Sequence, residues 1–172
     1  VPNMLREMGV STPFFRGRPN PNPEFDYVYS GSLNRGKTII SLLNHFKTLK
    51  KGEKLLVVGS VPDIIHNTFG MCSNIYFTGK LKYEEVPDVI SNAKYGLNAM
   101  PNIYPYNLQT STKVLEYCAA RLPVISTRYT WIEDFEKKSR ARFFYTQDDF
   151  SNLSLKNLDN HEFLIPDVKN YH

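Results

Sequence analysis

The run Thr110-Ser111-Thr112-Lys113-Val114-Leu115-Glu116-Tyr117-Cys118-Ala119-Ala120, closed by Pro123-Val124-Ile125-Ser126, puts hydroxyls, a cation and a carboxylate within two helical turns. A hydroxyl-rich turn opens a helix there. Backbone N–H groups at a helix start, with a Ser or Thr cap, form an anion site. Thr110, Ser111, Thr112 and Lys113 are placed to face that anion. Glu116, read as lying on the first turn, is placed to accept from hydroxyls beside it. An anion next to a vicinal diol is the chemistry of a nucleotide. The competing readings are plain: Lys113 as a surface side chain, and Glu116 as a partner of the helix dipole.

Two further loops carry matching chemistry. In Gly31-Ser32-Leu33-Asn34-Arg35-Gly36-Lys37, Gly31 allows the backbone close to a ligand, and a cation, Arg35 or Lys37, is available to a diphosphate. An ordinary strand–helix turn with exposed charges would look similar. The loop matches neither Gly-x-x-x-x-Gly-Lys-Ser/Thr nor Gly-x-Gly-x-x-Gly, which argues against a P-loop and against a nicotinamide or flavin cofactor. Thr78-Gly79-Lys80-Leu81 is the other loop, readable either as a ligand-facing turn or as a plain lead into the next helix. His45, His66, His161 and His172 share no metal spacing, so no metal is expected. Cys72 and Cys118 do not form a disulfide framework, which makes a reducing, cytoplasmic setting the default.

Positioning these loops requires strands that end beside them. Tyr27–Ser30 reads as a first strand, and Thr38–Leu49 has apolar residues at a helical period. Lys54–Val58, Asn74–Phe77, Tyr95–Asn98, Pro123–Ser126 and Arg142–Tyr145 read as further strands. Helices are expected at Glu84–Ala93, at the Thr110 segment, at Thr130–Lys137 and, less regularly, at Asp149–Leu158. Strands alternating with helices predict an α/β fold: a Rossmann-like, three-layer αβα domain on a doubly wound parallel sheet of about six strands. Such sheets bind ligands at the carboxyl ends of their strands. Residues 1–24, with Pro19-Asn20-Pro21-Asn22-Pro23, read as a linker remnant, and 25–172 as the domain, with His161–His172 as an extended connection.

Composition narrows the class. The 172 residues are 41% hydrophobic with a net charge of +4, ordinary for one globular domain. No apolar run spans a membrane, and no secretory signal opens the chain. The modest basic excess fits an anionic ligand or an anionic membrane surface, and no dense Lys/Arg stripe calls for nucleic acid.

The segment from Thr110 to Ser126 resembles the donor-site signature of retaining GT-B glycosyltransferases of the large family-4 group, roughly Pro-Thr-Lys-x-x-Glu-Tyr, then Ala, then Pro-Val. The resemblance runs from about Phe25 to Phe150. It implies the C-terminal, nucleotide-sugar-binding half of a two-domain enzyme. Its own N-terminal acceptor-binding domain would lie outside this chain, and the fragment would be inactive alone. The implied donor-site residues are Gly31, Ser32, Arg35, Lys37, Thr78, Gly79, Lys80, Thr110, Ser111, Thr112, Lys113 and Glu116. The resemblance implies a nucleoside-diphosphate sugar as donor, no cofactor or metal, and a catalytic residue, left unassigned, in the other half. The implied role is sugar transfer to a glycan or lipid-linked acceptor in bacterial surface polysaccharide synthesis, in the cytoplasm or peripherally at the inner membrane face. The chain departs from the family where Ser32 replaces an Arg, where Leu108 replaces an acid eight positions before Glu116, and at Arg121. Either Asn107 or Gln109 would then supply polar contacts to the sugar, or the sugar would be held differently. The alternatives are a GT-B-fold nucleotide-sugar epimerase and a non-catalytic Rossmann-like interaction domain.

Overall fold

The computed structural model describes residues 9–34, 36–49 and 52–171. Each strand is a short apolar run that a flanking helix can cover on either face. The strands are β1 (Phe25–Ser30), β2 (Leu55–Val58), β3 (Ile75–Phe77), β4 (Ala93–Asn98), β5 (Val124–Thr127) and β6 (Phe144–Thr146). They form one sheet in the order β3-β2-β1-β4-β5-β6, with every neighbouring pair parallel. The expected Rossmann-like layering is thus what the chain adopts. The order reverses between β1 and β4, where the crevice of a doubly wound sheet opens.

Alternation along the strands splits the core in two. Val28, Leu56 and Val58 pack on one face against α1 (Thr12–Arg16), α4 (Val86–Ile90), α5 (Thr112–Ala119) and α6 (Thr130–Ser139). Tyr27, Tyr29, Leu55 and Val57 pack on the other against α2 (Lys37–Leu49), α3 (Asp63–Phe69) and α7 (Leu155–Leu158). In α2 the buried Ile39, Leu42, Leu43 and Phe46 recur at helical spacing, as the sequence predicts.

One contact locks the middle of the sheet. The Tyr117 side chain on α5 lies over Gly96 in β4, and a β-carbon at Gly96 would fall 2.5 Å from its ring. The phenol oxygen accepts from the Ser30 amide at 2.9 Å and reaches the carbonyls of Val28 and Leu97 at 3.3 and 3.2 Å. It therefore pins α5 to the carboxyl end of β1.

Several expectations need correction. The helix expected over Glu84–Ala93 is a 3₁₀ turn at Tyr83–Glu85 followed by α4, and Ala93 already belongs to β4. The Ser91 and Asn92 amides close the turn that ends α4, donating to the Pro87 and Val89 carbonyls. Over Asp149–Leu158 only α7 is helical, because Phe150 takes a left-handed φ of 60°. The helix begins where the Ser154 hydroxyl caps the Asn157 amide. Helix α3 is not expected from the sequence. The sixth strand starts two residues late, because Arg142 pairs instead with Leu164 in an isolated antiparallel bridge.

The segment read as a linker carries α1, with Val10 3% exposed and Phe14 fully buried against the core. The packed region therefore extends well before Phe25. The far end of the chain returns to it: the Val10 amide donates to the Tyr171 carbonyl at 2.6 Å. No helix among the described residues is long and apolar enough to cross a membrane.

Candidate functional site

A cleft of about 410 Å³ opens at the carboxyl ends of β1 and β2. Gly31, Ser32, Lys80, Thr112, Lys113 and Glu116 line it together. Ser60 and Tyr83 also face it, and neither is expected from the sequence. Ser60 has a visible signal, because Gly59-Ser60 after β2 repeats the Gly31-Ser32 pair that follows β1. A second cleft of about 490 Å³ adjoins it, sharing Gly31, Ser32 and Ser60.

The helix start is built from beneath. Ser111 caps α5 by accepting from the Val114 amide at 3.3 Å. The same hydroxyl donates to the Asn98 side-chain carbonyl at 3.1 Å. Asn98, 1% exposed, donates in turn to the Ser126 hydroxyl and the Tyr129 phenol, both at 3.0 Å. Ser111 is 3% exposed, so it serves the cleft by fixing the helix end and does not turn its hydroxyl outward. The amides of Thr112 and Lys113, the first residues of α5, belong to the helix turn whose N–H groups lack intrahelical acceptors.

Lys113 is not the surface side chain of the plain reading. It is 8% exposed, with its ammonium 5.1 Å from the Tyr29 ring centroid. A β-carbon at Gly31 would lie 2.9 Å from that ammonium, and Gly31 has φ 135°, so glycine is required twice over. The ammonium and the Gly31 backbone thus form one wall.

Glu116 faces the same cleft, but not from the first turn of α5. Thr112 opens the helix, so Glu116 lies four residues in, one turn deeper. The depth has an electrostatic consequence. Burial raises the carboxyl above its ordinary value, opposed by a hydrogen bond from Tyr83 and by the charge of Lys113. The Tyr83 phenol donates to Glu116 Oε1 at 3.1 Å.

The remaining expected residues lie around or apart from this cleft. Lys37 is exposed at the first turn of α2 and is not among the lining residues, and Arg35 lies outside the described residues. Thr78 spends its hydroxyl on the Gly79 carbonyl at 2.8 Å, and that carbonyl also accepts from the Gly59 amide at 3.2 Å. Thr78 and Gly79 therefore shape the turn that presents Lys80 and Leu81 to the cleft. Thr110 is half-buried beside the cap and does not line the cleft. Leu108, at the position of the missing acid, is 58% exposed. Of its polar neighbours, Asn107 has a buried Oδ1 with no hydrogen-bond partner among the described residues. No cluster of three or more His, Cys, Asp or Glu able to hold a metal occurs among the described residues.

The family profile described as "Glycosyl transferases group 1" matches residues 24–160. The chain belongs to the group 1 glycosyl transferases. No curated protein matches the sequence. Solved structures resemble this group 1 chain in fold. AviGT4, a glycosyltransferase involved in avilamycin A biosynthesis, is 18% identical with a TM-score of 0.58, over 90% of this chain and 48% of that one. Sucrose-phosphate synthase from Thermosynechococcus elongatus is 15% identical with a TM-score of 0.62, over 88% and 42%. Anabaena Alr3699/HepE, solved with UDP and glucose, is 11% identical with a TM-score of 0.56, over 77% and 38%. The chain thus spans less than half the length of each, and the GT-B likeness expected from the sequence stands as a family and a fold.

Proposed function

We propose that this chain is the donor-binding domain of a retaining glycosyltransferase, and that the cleft at β1, β2 and α5 takes a nucleoside-diphosphate sugar. The observation that carries the reading is the convergence of the buried Lys113, the Gly31 backbone and Glu116 on one cleft. The diphosphate sits against the α5 start and the Lys113 ammonium, where the helix dipole and a fixed cation support negative charge. Glu116 accepts from the ribose hydroxyls. The base lies toward Lys80 and Leu81. HepE, a structural neighbour, was solved with UDP and glucose, which supports a nucleotide-sugar donor for this fold.

Charge developing on the leaving diphosphate is then met by Lys113 and the helix start, without a bound metal. The acceptor, a glycan or lipid-linked sugar of a bacterial surface polysaccharide, and the catalytic group belong to a second half of the enzyme. That half would lie outside this chain in the full protein, which would work in the cytoplasm or at the inner face of the membrane. Positioning both reactants supplies much of the rate, so this chain alone binds donor without transferring sugar.

The non-catalytic reading is favoured by two departures: Leu108 and Ser32 stand where the family carries an acid and an arginine. Calorimetry separates the two. The donor reading expects selective binding of UDP, GDP or ADP over the free nucleoside. Glu116→Ala should weaken it by about 1–3 kcal/mol. Lys113→Met should weaken the diphosphate and spare the nucleoside. Absence of binding to all three nucleotides, by a folded chain, would overturn the donor reading in favour of the interaction domain.

A further inference from the structure

Glu116 is held in place by a residue that the sequence motif does not contain. A glutamate side chain on a helix face samples several rotamers, and a carboxylate that must meet a diol gains from having one selected. The Tyr83 phenol makes that selection by donating to Oε1 at 3.1 Å. Among the described residues no other group hydrogen-bonds this carboxylate, and Glu116 lines the cleft.

Tyr83 is itself fixed from three sides. Its phenol oxygen accepts from the Ser11 hydroxyl at 3.3 Å. Its ring packs on Phe14 of α1 with centroids 5.4 Å apart. Its backbone opens a 3₁₀ turn closed by the Glu85 carboxylate, which accepts from the Lys82 amide at 2.8 Å. Burial and the nearby Glu116 charge raise the phenol above its ordinary value, so it remains a donor at neutral pH. Ser11 and Phe14 precede residue 24, where the family match begins.

We propose that Tyr83 is a positioning residue for nucleotide binding: it orients Glu116 toward the ribose diol, with α1 as its backing. This rests on the donor-site reading above. The hydroxyl of Tyr83 acts only through Glu116, so its effect must depend on the ligand's own 2′ and 3′ hydroxyls.

The test is calorimetry of the Tyr83→Phe chain with UDP, GDP and ADP and with their 2′,3′-dideoxy counterparts. Phenylalanine keeps the ring on Phe14 and removes only the hydroxyl. The expected result is a loss of about three- to tenfold for the ribonucleotide that binds, the worth of about one net hydrogen bond, with the dideoxy form unchanged. Ser11→Ala should shift the same selectivity in the same direction by less. Adding Tyr83→Phe to Glu116→Ala should change nothing further. Equal weakening of both nucleotide forms would assign Tyr83 a merely structural role and overturn the proposal, as would no weakening of either. If Glu116→Ala itself fails to distinguish ribo from dideoxy nucleotides, or none of the three nucleotides binds, the donor-site reading falls with it.

Discussion

Replacing Gly96 with alanine tests the lock between α5 and the sheet. The new β-carbon would lie 2.5, 2.6 and 2.9 Å from Cγ, Cδ2 and Cδ1 of Tyr117. Carbon atoms in contact sit about 3.5–4.0 Å apart, so the ring has to retreat by roughly 1 Å. Tyr117 is fully buried, and its oxygen accepts from the Ser30 amide at 2.9 Å. A retreat of that size breaks this bond and leaves a buried amide with no water to replace the phenol. Overpacking costs about 1–3 kcal/mol, and the orphaned amide about 1–3 more. The sum, about 2–6 kcal/mol, is a large share of a typical domain stability of about 5–15 kcal/mol. Thermal unfolding should therefore show a Tm lower by on the order of 10 °C, with a matching fall in the urea midpoint. Tyr117→Ala is expected to be costly as well, but Gly96→Ala added to it should cost little more, because the clashing ring is gone. A single variant within about 0.5 kcal/mol of the parent, or two penalties that simply add, would refute the reasoning.

Two further substitutions separate stability from binding. Burial raises the Glu116 carboxyl in the folded chain, so the unfolded chain gives up that proton first and stability falls as pH rises through the window above the ordinary glutamate value. At pH 7 Glu116→Gln should therefore raise Tm while weakening nucleotide binding, and the Tm gain should vanish in acid. A lower Tm at neutral pH would contradict the burial argument. Ser111→Ala removes the α5 cap and strips Asn98 of a donor, so urea unfolding should report a loss of about 1–2 kcal/mol, with none of it expected if the cap carried no load.

The layering was legible because each strand is a compact apolar run ending at a turn residue, as Lys54–Val58 ends at Gly59. Helix α3 is not legible in the sequence because Asp63–Phe69 is short and leaves Ile64 73% exposed, so no apolar period emerges. The packed role of residues 9–16 is hidden for another reason: Phe14 is buried in a core shared with α5 and packs on the Tyr83 ring, partners that sequence separation conceals. In the cleft, Lys113 and Glu116 share one helix, so their spacing announced them. Tyr83 reaches Glu116 across 33 residues. The direction of the Ser111 hydroxyl depended on Asn98 and Ser126, which come from two neighbouring strands. Local pattern shows that a cap exists, while tertiary placement decides where its hydroxyl points.

The bond between the Val10 amide and the Tyr171 carbonyl has a mechanical meaning. It ties the two ends of the described chain at one place, beside α1 and away from the sheet ladders. A force drawing those ends apart bears on this bond, on the Tyr171 ring packed against Phe135, and on the seat of α1. Residues 11–16, next to that bond, carry Ser11 and Phe14, the backing of Tyr83. A continuous chain of contacts thus runs from the junction of the two described ends through Ser11, Phe14 and Tyr83 to the Glu116 carboxylate, so the cleft is connected to that junction rather than insulated from it.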